Sequence, residues 1–185
     1  MFSFELLFEA IVFGILLGSF YAAVSIGLSV SFGLLDVPHV AHPAIMVFGA
    51  YCTWLLGTQG FDPIVAGLAL MPPFFLLGMA IYRFYYEAFE RRGSDAGVRG
   101  IAFFFGVALI IEVGLVLVFG VDQRTVEASY IGSSVSFGEM RIPQRFLVAC
   151  GVALALMAAL TLYLSKTFTG RAIKAVAQDE TALRL

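Results

Sequence analysis

The chain has 185 residues, of which 61% are hydrophobic and 13% are charged, and its mean hydropathy is +0.96. A soluble domain is about half apolar and about a quarter charged, so this composition excludes a water-soluble globular protein and indicates an integral membrane protein. The formal net charge of -2 and the lack of a basic tract argue against nucleic acid as a partner. The two cysteines, Cys52 and Cys150, lie inside apolar runs, where small packing residues are expected rather than a metal cluster or a disulfide.

Stretches without Asp, Glu, Lys or Arg predict the membrane spans, because about 20 consecutive apolar residues are needed to cross the bilayer as a helix. Four such stretches are uninterrupted, and another is interrupted only by Glu112. The sequence therefore predicts an all-α, polytopic transmembrane helix bundle of about five spans, one of them broken or kinked. The predicted spans are residues 10–35, 37–61, 63–82, 100–121 and 146–165.

Prolines predict where these helices start or deform. A helix that ran through Pro43 would lose a backbone hydrogen bond, so we expect a short broken or re-entrant piece before a helix that begins near Pro43. Pro63 suits the first turn of the third span. Pro72 and Pro73 lie in the middle of that span and are expected to kink it.

Basic residues predict the orientation, because short cytoplasmic loops carry the excess of Lys and Arg. They cluster after the third span and after the last one, whereas the loop at 122–145 has balanced charges. We therefore expect a transmembrane bundle at 1–165 with its N-terminus and the 122–145 loop outside, and a cytoplasmic amphipathic segment at 166–185. Alternating apolar and polar residues at 134–142 predict a small hairpin in the outer loop.

Three small residues line one face of the first span. Gly14, Gly18 and Ala22 are spaced four apart, which would let another helix approach closely. The alternative is that glycine is simply frequent in membrane helices. We favour helix packing, without a named partner.

Three polar residues are candidates for a solute pathway or for hydrogen bonds between helices. Glu112 is a carboxylate inside a predicted span, where a charge costs about 3 kcal/mol on insertion scales, so it should face protein or a wet cavity. A protonated structural carboxyl is the alternative. His39 and His42 could share a helical face, but with only Asp36 nearby a polar hinge is a better interpretation than a metal site.

The tail predicts a short amphipathic helix joined directly to the last span. Thr169 can cap a helix that begins at Gly170, and Asp179 can cap a second turn. Such a helix could lie on lipid or dock into a groove of a partner. Its apolar side carries Ala172 and Val176, and its polar side carries Arg171, Lys174 and Gln178.

The same tail resembles the cytoplasmic loop of permease subunits of branched-chain amino acid ABC importers. Their pattern is T-x-x-G-R-A-x-R-A-x-A-x-D-x-x-A-A-x-L, and Lys174 keeps the charge of the second Arg. The matching residues are Thr167, Gly170, Arg171, Ala172, Ala175, Ala177, Asp179, Ala182 and Leu185.

Two further stretches are similar to the same family. Residues 27–42 follow its G-L-x-x-x-[FY]-G-x-x-x-x-x-N-x-A-H-G pattern, with His39 for the usual Asn and Pro43 for the final Gly. Gly49 to Tyr51 matches a downstream G-A-Y, and Phe119 to Arg124 matches F-G-x-x-x-R. Family members usually continue with about three more spans, so the resemblance implies that this chain is an N-terminal portion.

The resemblance implies a permease of the cell inner (plasma) membrane that is not an enzyme and needs no cofactor. Its implied partners are a second permease subunit, cytoplasmic ABC ATPase subunits, an extracytoplasmic solute-binding protein and the lipid bilayer. It also implies that the tail docks on the ATPase, through Thr169, Gly170, Arg171, Ala172, Lys174, Val176 and Asp179. The alternative function is an ATPase-independent secondary transporter or channel with Glu112 on its pathway; a membrane-embedded enzyme is a distant third.

Overall fold

The computed structural model describes residues 4–33, 37–89, 91, 96–128, 130–137 and 140–178. Within these residues, helices and one hairpin follow one another along the chain. In order they are α1 (Phe4–Gly33), α2 (His42–Thr58), α3 (Pro63–Ala88), α4 (Ala96–Phe119), β1 (Ser134–Phe137), β2 (Met140–Pro143), α5 (Gln144–Lys166) and α6 (Phe168–Gln178).

Four helices of the described chain, namely α1, α3, α4 and α5, are long and apolar enough to cross a membrane. The prediction of a helical transmembrane bundle is therefore confirmed. The predicted second span corresponds to α2, whose 17 residues rise about 25 Å, slightly less than the roughly 30 Å hydrocarbon layer. The bundle thus has four full-length helices and one shorter helix, and the predicted end of the first span at Leu35 lies outside the described residues.

The helices α2 and α3 begin where the prolines of the sequence predict. Residues 37–41 are not helical and α2 begins at His42, with Pro43 in its first turn, as predicted. The Asp62 side chain caps α3 by accepting a hydrogen bond of 2.8 Å from the Ile64 N–H, and Pro63 is the first residue of the helix. Beyond this start, α3 continues as one helix through Pro72 and Pro73.

Residues 37–128 form one compact unit, in which α2 packs against both α3 and α4. Its centre consists of Val37 and Ala41 from the connection before α2, Tyr85 from α3 and Phe104 from α4, all of them buried. The Tyr85 and Phe104 rings have their centroids 5.2 Å apart. The non-helical connection is therefore held by the core of the unit.

Gly100 on α4 permits the closest approach in this core. A β-carbon at Gly100 would lie 2.8 Å from Pro38 Cγ and 3.0 Å from the ring and hydroxyl of Tyr85. A side chain at this position would force Pro38 or Tyr85 to shift, so glycine lets α4 pack closely against the connection and the end of α3.

The described parts of residues 1–36 and 129–185 form a second unit, in which α1 packs against α5. The Phe13 and Phe146 rings meet edge to face, with their centroids 5.7 Å apart. The predicted hairpin is present: β1 and β2 are antiparallel, with Val135 opposite Ile142. The Gln144 N–H donates to the Ser133 carbonyl at 3.0 Å and joins the hairpin to the start of α5.

Large apolar side chains cover the outside of the spans. Leu117 is 81% exposed and Ile110 is 74% exposed, and many others are more than half exposed. Such a surface would be unstable in water but suits lipid tails or other membrane helices. The outer face of each unit is therefore a membrane surface.

We expect Gly100→Ala to destabilise the unit formed by residues 37–128, by about 1–3 kcal/mol, because the added methyl group must displace Pro38 or Tyr85. Thermal unfolding of the purified protein in detergent measures the effect. Gly106→Ala is the matched control on the same helix, since a β-carbon there meets nothing within 4 Å. Equal melting temperatures for the two variants would contradict the close packing at Gly100.

Candidate functional site

The junction between α5 and α6 consists of a single residue, Thr167. Its N–H and its hydroxyl both donate to the Tyr163 carbonyl, at 3.1 Å and 2.7 Å, and so close the end of α5. The same hydroxyl oxygen accepts a hydrogen bond of 3.0 Å from the Gly170 N–H, and the Thr167 carbonyl accepts one of 3.1 Å from the Arg171 N–H. Thr167 therefore ends one helix and caps the next.

This geometry corrects the predicted helix start. The sequence predicted that Thr169 caps a helix beginning at Gly170, but α6 begins at Phe168 and the capping hydroxyl belongs to Thr167. A capping side chain bonds the amide two or three positions into the helix, and Thr167 stands at that distance from Gly170. Asp179, the predicted second cap, lies outside the described residues.

Gly170 faces the end of α5 and is buried. A β-carbon there would collide with the Tyr163 carbonyl oxygen and lie 2.5 Å from Leu164 Cα and 2.9 Å from the Leu164 carbonyl carbon. These contacts are with backbone, which cannot rotate away. The close backbone approach that Gly170 permits is thus between α6 and α5 of the same chain.

Apart from Ile173, which is half-buried, the remaining described side chains of α6 are exposed. Arg171, Ala172 and Lys174 are exposed there, as the docking prediction requires. Phe168 was not among the residues predicted from the sequence; its ring is 83% exposed, and it stands four residues before Ala172 on the same side of the helix. Placing the cap at Thr167 instead of Thr169 would have brought Phe168 into the helix. The Val176 side chain lies outside the described residues.

The two histidines lie in and beside the core of residues 37–128. The His39 ring packs on Phe104, with centroids 4.8 Å apart, and the His42 ring is 6.0 Å from that of His39. The His39 Nδ1 atom is buried and has no hydrogen-bond partner among the described residues. No group of three His, Cys, Asp or Glu side chains gathers in the described chain, and Asp36 lies outside it.

Glu112 does not join the histidines. It lies eight residues after Phe104 on α4, about 12 Å further along the helix axis, and its side chain is exposed. Its helical neighbours Leu109 and Val116 are also exposed, so the carboxyl sits on an apolar surface. The structure thus places the half-buried histidines against the core and Glu112 on the outer face of α4.

The small residues of α1 are exposed as well. A β-carbon at Gly14 or at Gly18 would meet nothing within 4 Å, and Ala22 is exposed on the same face. The described part of the chain therefore leaves this face uncovered, and packing by another helix stays a prediction.

Arg124, the last residue of the F-G-x-x-x-R pattern, contacts the first residue of that pattern and a ring on α2. Gly120 adopts φ +78° and turns the chain at the end of α4. Beyond the turn, the Arg124 guanidinium donates to the Phe119 carbonyl at 3.2 Å and lies over the Trp54 ring, 5.2 Å from its centroid. The Arg therefore attaches the segment after α4 to the ends of α4 and α2.

The apolar helices, four of them in the described chain long enough to cross a membrane, agree with the comparisons with known proteins. The family described as the permease component of branched-chain amino acid transport systems matches residues 10–185. The chain belongs to this permease family. It is therefore a multi-pass inner-membrane protein, from a family of transporters that are not enzymes.

A curated relative of this permease comes from Pseudomonas aeruginosa. It is the high-affinity branched-chain amino acid transport system permease protein BraD, which is 23% identical over 182 residues. The match covers 92% of this chain and 59% of the relative, so the permease chain spans less than two thirds of that protein. No solved structure matches the chain.

We expect Glu112 of this permease to contact protein in the assembled transporter, because a carboxyl exposed to lipid is costly. Glu112→Gln should therefore keep the assembly intact, since an amide still forms hydrogen bonds, while Glu112→Lys should disrupt it. Native mass spectrometry of the purified complex measures assembly. Glu127→Lys, in the exposed segment after α4, is the control for reversing a charge. Intact assembly of the Glu112→Lys protein would refute the prediction.

Proposed function

We propose that this permease forms part of the translocation pathway of an ABC importer for branched-chain amino acids or a similar small polar or amphipathic solute. Family membership supports the transport of such solutes, and the relative BraD carries that role in its name. The observation that carries the proposal is the junction at Thr167, which joins the short helix α6 directly to α5.

The proposed partners follow from the permease family to which the chain belongs. The 185 residues contain no glycine-rich phosphate-binding loop, and in this proposal ATP is hydrolysed by cytoplasmic ABC ATPase subunits. A second permease subunit completes the pathway, and an extracytoplasmic solute-binding protein delivers the solute. The secondary-transporter alternative, with Glu112 on the pathway, is not favoured by the family assignment.

In this proposal α6 docks on the ATPase. Its exposed ring at Phe168 enters an apolar groove, and Ala172 permits a close approach beside it. Arg171 and Lys174 meet acidic groups at the rim of the groove. A large aromatic side chain surrounded by charges is the usual composition of a high-affinity contact.

The docking surface can be tested on Phe168 and Arg171. Phe168→Ala should weaken ATPase binding by about tenfold or more, and Arg171→Glu should do the same through charge repulsion. Copurification of the ATPase with the permease in detergent, over a range of ATPase concentrations, measures the effect. Arg141→Glu, on the exposed hairpin, is the matched control and should bind like the unaltered chain. Unchanged binding by both α6 variants would leave α6 as a lipid-surface helix.

The proposed orientation places the N-terminus and the hairpin outside and residues 166–185 in the cytoplasm. It requires that α2 crosses the membrane despite its 17 residues. With Cys52 and Cys150 replaced, single cysteines at Phe4 and Ser136 should react with an impermeant thiol reagent in intact cells, and one at Ala177 should react only after permeabilisation. If the cysteine at Ala177 reacted in intact cells, the topology would be the reverse of the proposed one. If the cysteine at Phe4 were protected there, α2 would not cross the membrane.

A further inference from the structure

We propose that Thr167 and Gly170 are positioning residues that fix the angle between α5 and α6, so that movement of a bound ATPase reaches the membrane span. This inference rests on the proposed docking of α6. It concerns residues that face α5, whereas the docking surface faces away from it.

The Thr167 hydroxyl makes this junction stiff. It bonds the last turn of α5 at the Tyr163 carbonyl and the first turn of α6 at the Gly170 N–H, with distances of 2.7 Å and 3.0 Å. One oxygen atom therefore joins both helices, and neither end can rotate without breaking a hydrogen bond. A longer connection would absorb part of an applied displacement in its own backbone dihedrals.

Gly170 supplies the second constraint, which is steric. Its missing side chain lets the first turn of α6 rest on the backbone of Leu164. An added methyl group would lie 2.5 Å from Leu164 Cα, whereas ordinary contact begins near 3.4 Å, so the backbone of α6 would have to move by about 1 Å. Gly170→Ala should therefore change the direction of α6 without altering its exposed surface.

Two variants separate this role from docking. Gly170→Ala should push the first turn of α6 away from the end of α5. Thr167→Val removes the shared hydroxyl while keeping the shape of the side chain. Thr167→Ser keeps the hydroxyl and should rescue coupling. Gly151→Ala is the matched control on α5, because a β-carbon there meets nothing within 4 Å.

The experiment measures solute uptake per ATP hydrolysed in proteoliposomes that contain the permease, its ATPase, the second permease and the binding protein. Gly170→Ala and Thr167→Val should retain ATPase binding but lose at least about fivefold in uptake per ATP, the lower end of typical coupling effects. Spin labels at Leu162 on α5 and Ala175 on α6, both exposed, should report a shifted or broadened distance in these two variants. Thr167→Ser and Gly151→Ala should resemble the unaltered chain in both measurements.

Unchanged uptake per ATP in Gly170→Ala and Thr167→Val, with ATPase bound, would overturn the inference. An unchanged spin-label distance would overturn it too, because the junction would then not depend on these residues. Failure of the proposed function gives a different result, since the unaltered chain would then capture no ATPase at all.

Discussion

The backbone amides and carbonyls that enter the hydrocarbon layer must find their hydrogen bonds within the protein, because no water is available there. This requirement explains why the apolar runs are continuous helices. It also explains why the break before α2 is buried against Tyr85 and Phe104. Within that break, short-range hydrogen bonds replace helical ones: the His39 N–H donates to the Val37 carbonyl at 2.8 Å and the Val40 N–H to the Pro38 carbonyl at 2.9 Å.

At the end of α5 that meets α6, backbone groups also find their partners within the protein. Here the chain leaves one helix and enters another at a single residue, and the Thr167 hydroxyl satisfies groups on both sides. A junction this short leaves little freedom in the backbone. We propose that these shared hydrogen bonds let α6 transmit a displacement to α5.

The sequence predicted the helices and the hairpin well, because composition decides them. Long stretches without charged residues indicated the spans, and prolines indicated where α2 and α3 begin. The prediction failed at the start of α6, where Thr167 and Thr169 are both of a residue type that caps helices and the sequence alone does not decide between them. The contact of Arg124 with Trp54 and the exposed position of Glu112 were also beyond it, because both depend on which helix faces come together.

In the proposed function, α6 binds a cytoplasmic ABC ATPase and α5 transmits its movement into the membrane. Site-specific photo-cross-linking can show whether α6 contacts the ATPase. A photoreactive amino acid at Lys174, which is exposed on α6, is irradiated in native membranes and the adducts are identified by mass spectrometry. We expect a covalent adduct with an ATPase subunit, and we expect its yield to change when ATP is added. Adducts with lipid alone, unaffected by ATP, would contradict it.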